Sequence, residues 1–390
     1  FPAVMVSTAM QGGCVCENAN YLRVGAGNVD IAALALPRPL GLTGADDWTV
    51  EIETKGKPEL DDLYAMAGVS DRFAVFPNLQ FGHNYNAVSR RAMYGFVNKH
   101  FQLGHDEPIV ERDFTPLTQE EMSVWTKEHP APKSRGAVHE QGLLRWWAED
   151  SDAQLSALTL RMPDDAGAAE TFREVVGGAW RTILGRTLAE VGPIDYELST
   201  KIETDDGTAM TGLLTASAHG EQVPALFLHP HDWNGEVIVM VDGDEGKSRV
   251  LGTSLAAGYS VMSIDVLLTG EAVVDPNAPG NFPLNGDRNA AVSGYTFGYN
   301  HPLFVKRVHD VLTAIAFVVD NPQWDTKKVH LVGLGEEGSL LTLAARFQSR
   351  GESKIGKTAA WRATGRFSKV SGIDDPWFLP GSVKYGGAAS

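Results

Sequence analysis

Two short runs carry side chains that could move a proton between them. Gly44-Ala-Asp-Asp47-Trp48 and, thirty-six residues later, Phe81-Gly-His83-Asn-Tyr85 each follow an apolar run of strand type. Loops at the carboxyl ends of parallel strands are where open sheets place reactive groups. An aspartate that accepts an imidazole N–H fixes one tautomer and stabilises the imidazolium, so that the other ring nitrogen can take a proton from a serine hydroxyl. The same residues also read as an acidic turn and an unrelated loop histidine, and spacing alone does not separate the two readings.

The elements around these runs alternate. Ala32 to Gly44 reads as an apolar strand entering the acidic turn, Pro58 to Met66 as a helix, Arg72 to Leu79 as a second strand, and Val88 to Phe101 as a helix with Met93, Phe96, Val97 and His100 at helical spacing. This places residues 1–110 in the α/β class. From 111 to 195 the pattern turns helical. Thr118-Gln-Glu-Glu121 is a capping box, Leu143 to Leu158 is amphipathic, and Phe172 to Leu184 is a further helix, so this stretch reads as a helical linker. Trp146 and Trp147 within it read as packing between helices.

From 196 to 390 strands and helices alternate again. Val223 to Leu228, Val237 to Val241, Tyr259 to Val266 and Lys328 to Val332 read as strands, and Val250 to Ala257 and Phe304 to Val319 as helices, the order of an open, mostly parallel sheet flanked by helices. The end of the chain reads as a weakly patterned tail.

Composition excludes several function classes. The 390 residues are 43% hydrophobic and 21% charged, the balance of a globular chain, and no apolar run approaches the length of a membrane helix. A net charge of −16 disfavours a nucleic-acid partner. Cys14 and Cys16, the only cysteines, are too few for a disulfide framework or a four-ligand zinc site. Phe1-Pro-Ala-Val-Met-Val-Ser-Thr8 reads as a buried apolar strand with neither initiator Met nor signal peptide, as expected of a truncated chain.

A family resemblance sharpens this reading. Ser7-Thr-Ala-Met-Gln-Gly-Gly-Cys-Val-Cys-Glu-Asn18, Ala32 to Pro39, Gly44-Ala-Asp-Asp47 and Phe81-Gly-His83-Asn-Tyr-Asn86 resemble the second half of acetylxylan-esterase-like α/β-hydrolases, and 196–345 resembles the first half of another such unit. The chain is thus similar to a tandem-hydrolase esterase family, taken from mid-unit to mid-unit, with residues 196–390 as the second, degenerate unit. The order acid, then histidine, is that of α/β-hydrolases. The resemblance implies Asp47 as acid and His83 as base. Asp46 is the competitor for the acid, and Asp47 is preferred because the hydrolase turn reads Gly-x-x-Asp. It also implies a nucleophilic serine shortly before Phe1, a Gln11-Gly-Gly-Cys-Val-Cys16 loop near the site, and a secreted or periplasmic location. The implied activity is hydrolysis of a carboxylic ester, such as an acetyl group on a polysaccharide, without cofactor or metal. Open sheet edges would be covered by complementary chain segments or a second copy of the chain. The competing reading is a noncatalytic hydrolase-fold scaffold or carbohydrate-binding protein.

In the second unit, Val332-Gly-Leu-Gly-Glu-Glu-Gly338 stands where the nucleophile elbow belongs, with Gly335 in the serine's place. Without Oγ there is no acyl-enzyme. Glu336 and Glu337 read as ordinary first-turn acids. Ser339 comes one turn too late, and Ser254 lacks the second glycine. The run also satisfies Gly-x-Gly-x-x-Gly, the dinucleotide fingerprint, but two glutamates at the helix mouth and no acid about twenty positions on argue against it. His229-Pro-His231-Asp232 reads as a loop after a strand rather than a metal site, and His301 and His309 as packing around the start of a helix.

Overall fold

The computed structural model describes residues 19–133, 135–161, 164–241, 247–272, 297–361 and 377–387. The runs 1–8 and 11–16 lie outside them. The chain divides into two compact units, Phe1–His139 and Glu140–Ser390, at a point inside the stretch with linker character.

The first unit is built on two parallel strands, β1 (Leu40–Asp46) and β2 (Phe73–Gly82). The strand begins later than its apolar run suggests. Asn28–Ala33 is a short helix (α1), and Pro37 and Pro39, which have no N–H to give a ladder, hold pairing off until Leu40. On one face Leu40, Leu42 and Phe73 close over Ile52 and over Leu60 and Tyr64 of α2 (Lys57–Met66), whose second residue is Pro58. The Tyr64 hydroxyl donates to the Arg38 carbonyl at 2.8 Å, which satisfies its buried polar end. α3 (Ala87–Phe101) begins where the Asn86 side chain accepts from the N–H groups of Val88 and Ser89. It lays Met93 and Phe96 on Gly41, where a Cβ would sit 2.9 Å from the Phe96 ring.

After this unit's strands, Thr118 caps α4 (Gln119–Met122), and the long α5 (Gly136–Arg161) buries none of its side chains. Trp146 and Trp147 are 55% and 56% exposed, so the expectation that they pack between helices is corrected. Leu143, Leu144, Trp146 and Trp147 spread over nearly half the circumference, a wider arc than one neighbouring helix covers.

The second unit holds a seven-stranded sheet in the order β3-β4-β5-β7-β6-β8-β9. One side is an antiparallel meander of β3 (Asp195–Thr204), β4 (Gly207–Ala216) and β5 (Glu221–Pro230), with β5 also antiparallel to β7 (Ser260–Ile264). The other side is parallel: β7, β6 (Glu236–Val241), β8 (Lys328–Gly333) and β9 (Ile355–Ala360). The α/β class stands, and the mixed sheet adds three strands that periodicity did not reveal. β3 is polar and exposed over most of its length, and β9 alternates Ile355, Thr358 and small residues too weakly to stand out from a tail.

β6 is covered on both faces. Ile238 and Met240 pack with Val250, Leu251 and Leu255 of α7 (Lys247–Ala256), while Val237, Val239 and Val241 are buried on the alternate positions. α8 (Leu303–Asp320) is buried around its circumference, with Val305, Val308, Leu312 and Ile315 fully enclosed, each contributing about 1.5–3 kcal/mol by burial. α9 (Gly335–Gln348) packs beside it, and α6 (Ala166–Leu184) joins both: the ring of His309 on α8 reaches the Leu184 carbonyl at 2.8 Å, and the Gln348 amide donates to the Arg186 carbonyl at 2.8 Å.

Candidate active site

Asp47 and His83 each stand one residue beyond a strand end, and a break in register brings them together. β1 and β2 run in step from Leu40 opposite Phe73 to Gly44 opposite Pro77, then jump so that Asp46 lies opposite Gly82. An unbroken ladder would put Leu79 there. Three extra residues on β2 thus carry His83 alongside Asp47, and the His83 Nδ1 lies 2.8 Å from Asp47 Oδ2. Asp46 remains exposed at the strand end, so the carboxylate that meets the ring belongs to Asp47.

Asp47 is held on its other side by Thr49. Its Oδ1 accepts from the Thr49 N–H at 2.7 Å and from the Thr49 hydroxyl at 2.6 Å. Burial pushes the Asp47 carboxyl up, but hydrogen bonds from the Thr49 hydroxyl, the His83 ring and the Thr49 N–H outweigh it and hold the group below the ordinary carboxylate range. An ionised carboxylate only accepts, so Nδ1 carries the proton of a neutral His83 ring and Nε2 is left with a lone pair. The His83 side chain is 65% exposed against 9% for Asp47: an open base on a shielded acid. The Trp48 ring packs against the imidazole with centroids 4.3 Å apart. Sequence reasoning missed Thr49 and Trp48, although Asp-x-Thr, in which an acid accepts from the N–H two residues on, is a recognisable turn signature.

In the second unit a strand, a turn and a helix follow one another where the resemblance implies a nucleophile elbow, with Gly335 in the serine's place. β8 ends at Gly333 and α9 opens at Gly335, whose φ of 68° lies in the left-handed region. Gly333 has no room for a side chain, since a Cβ would lie 2.3 Å from the Gly338 carbonyl oxygen. Ser339 is wholly buried, its hydroxyl 2.6 Å from the Trp361 carbonyl. Glu337 pairs with Arg307, which also donates to the Leu267 carbonyl at 2.9 Å, while Asp310 accepts from the Leu267 N–H at 2.7 Å. His229 Nδ1 lies 2.8 Å from the hydroxyl of Ser260, a serine buried in β7 and closed to substrate. Among the described residues no group of three or more His, Cys, Asp or Glu could hold a metal, and no helix is long and apolar enough to cross a membrane.

No protein-family model matches the chain, and no curated protein does. Solved structures do. Acetyl xylan esterase 1 from Thermoanaerobacterium sp. JW/SL YS485 is 19% identical with a TM-score of 0.34, covering 48% of this chain and 57% of its own. Methylesterase BT1017 is 16% identical with a TM-score of 0.41, covering 61% of this chain and 51% of its own. Acetyl xylan esterase from Paenibacillus sp. R4 is 16% identical with a TM-score of 0.32, covering 54% and 72%. The chain spans about half the length of the first two. These three neighbours are esterases, and a carboxyl esterase, a dienelactone hydrolase and an aminopeptidase are among the others.

Proposed function

We propose that the first unit supplies the acid and base of a serine-type carboxylic ester hydrolase, with Asp47 as acid and His83 as base. The observation that carries this reading is the 2.8 Å contact between His83 Nδ1 and the shielded Asp47 carboxylate, with the imidazole otherwise open. Such a pair takes a proton from a serine hydroxyl as it attacks an acyl carbon and returns it to the leaving alcohol; water then hydrolyses the acyl-enzyme by the same route. The oxyanion of each tetrahedral intermediate would be held by backbone N–H groups. The sequence has no Gly-x-Ser-x-Gly. The serine is therefore proposed to come from chain outside these 390 residues, and an acetylated polysaccharide is the proposed substrate class. The second unit is proposed to be noncatalytic, since the elbow position is Gly335.

The test is hydrolysis of p-nitrophenyl acetate by this chain, by a polypeptide extended upstream of Phe1, and by the extended polypeptide carrying His83→Ala. Activity confined to the extended polypeptide and lost by several orders of magnitude in the variant is the expected result. Full activity in the 390-residue chain would place the nucleophile elsewhere, and an extended polypeptide indifferent to His83→Ala would favour the scaffold.

A further inference from the structure

The acid of the proposed pair is itself oriented by a residue that touches neither base nor substrate. Thr49 is only 3% exposed, and its hydroxyl has one proton to give. The Ala45 N–H lies 3.0 Å from Thr49 Oγ1 and can only donate to it. The hydroxyl proton is thereby committed to the other neighbour, Asp47 Oδ1 at 2.6 Å, which accepts it as a carboxylate. The Thr49 N–H reaches the same oxygen at 2.7 Å. Two donors on Oδ1 fix the carboxylate plane and leave Oδ2 aimed at the imidazole, 2.8 Å away. A β-branched side chain suits the task, because its χ1 is stiff and one rotamer presents the hydroxyl in both directions.

We propose that Thr49 is a positioning residue for the acid–base pair: its hydroxyl, oriented by the Ala45 N–H, holds Asp47 so that one oxygen faces inward and the other binds the Nδ1–H of His83. This rests on the reading of Asp47 and His83 as acid and base, but the geometry can be tested without an ester. The relay runs from Ala45 near the end of β1 through Thr49 to Asp47 and on to the exposed ring, so the strand end sets the tautomer of a histidine thirty-eight positions beyond Ala45.

The experiment is heteronuclear NMR on the 390-residue chain, following the Asp47 side-chain carboxyl carbon through a pH titration and the two ring nitrogens of His83 at alkaline pH. Thr49→Val keeps the shape and the backbone N–H but loses the hydroxyl. It is expected to move the Asp47 midpoint up toward the ordinary carboxylate range and to convert His83 from one Nδ1–H tautomer to a mixture. Thr49→Ser should restore both signals. Asp47→Asn is the reference for complete loss of the carboxylate on His83. Should Thr49→Val fail to fold, Thr49→Cys, with its weak thiol donor, carries the same test. A folded Val or Cys variant with both signals unchanged would overturn the proposal, as would a folded Ser variant that restores neither. In the extended polypeptide, Thr49→Val should lower kcat with little change in KM. If no variant of that polypeptide has activity while the NMR signals behave as stated, the hydrolase reading fails and the positioning role stands.

Discussion

On the proposed reading, the two units keep opposite halves of one catalytic layout. In the first, two side chains on successive loops meet at 2.8 Å, and their meeting depends on a local slip between strands. In the second, a strand, a tight turn and a helix stand at the proposed elbow position, with Gly335 at φ 68° and Gly333 pressed against the Gly338 carbonyl, while the polar side chains around it serve packing. Ser339 and Asp310 bond inward to carbonyl and N–H groups, and Arg307 is spent on Glu337 and Leu267. The difference teaches that backbone form and chemical competence are separable. A turn can be retained because the helix and strand that flank it pack well, whereas a side chain as exposed as the His83 ring carries little such packing reward.

The largest test of that contrast is Asp47→Asn in the extended polypeptide. Loss of the carboxylate leaves the imidazole without its orienting partner and should lower kcat for an acetyl ester by about 10⁴-fold, while Gly335→Ser in the same background should restore nothing. A Gly335→Ser protein labelled at that serine by an organophosphonate would break the comparison.

Next in size is a stability effect confined to the second unit. Leu312→Ala empties a fully enclosed position on α8 and should cost about 2–5 kcal/mol in denaturant unfolding. The Asp47–His83 NMR signals should be unchanged in denaturant too mild to unfold the first unit. Their simultaneous loss would show that the units unfold as one.

A smaller effect is expected from pH. Burial pushes Asp310 up to about 7, and burial together with Arg186 holds His309 down to about 4. Between the unfolded carboxylate value near 4 and pH 7, folded Asp310 binds the extra proton, so its contribution to stability grows as pH falls through that window. His309 works the other way: between about 6.5 and 4 the unfolded chain binds the extra proton, and stability is lost as pH falls. Asp310→Asn removes only the first, so its unfolding midpoint should fall more steeply than the parent's from pH 7 to 4. A parallel or shallower decline would refute the assignment.

The smallest effect tests α5. Trp146→Ser and Trp147→Ser, on a helix that buries nothing, should each change stability by no more than about 0.5 kcal/mol. A larger loss would mean that the indoles are covered in solution.

Much of the frame was legible because it is written in periodicity. Pro58 to Met66, Val88 to Phe101 and Phe304 to Val319 are helices within a residue or two of their patterns. The first buries Leu60 and Tyr64 and the third a whole circumference, whereas the second buries Ser89 and Asn98 and only half-buries Met93 and Phe96. The contact between Asp47 and His83 was one of two readings that their spacing left open, and it was the family resemblance that favoured it. What escaped notice lacked a periodic signature. β3 buries no residue and its ladder with β4 shifts register between Leu198 and Thr200, β9 is short and small-residued, and the exposure of Trp146 and Trp147 depends on what lies opposite the helix. Thr49 escaped because its role arises only once Ala45 and Asp47 have been brought within reach of one hydroxyl.

The slip between β1 and β2 has a consequence for how such sites drift over evolutionary time. Removing Asn78-Leu79-Gln80 would leave an unbroken ladder with Gly44 still opposite Pro77 and Gly82 still opposite Asp46, so His83 would keep its place beside Asp47. A loss of one residue that the slip does not absorb would instead turn the following side chains to the other face. Within β2 the loss of all three residues is thus tolerable to the sheet and to the pair, whereas the loss of one endangers the pair. A homologue that keeps every apolar position of both strands, and both the Asp and the His, can still lose the contact between them through the length of this slip alone.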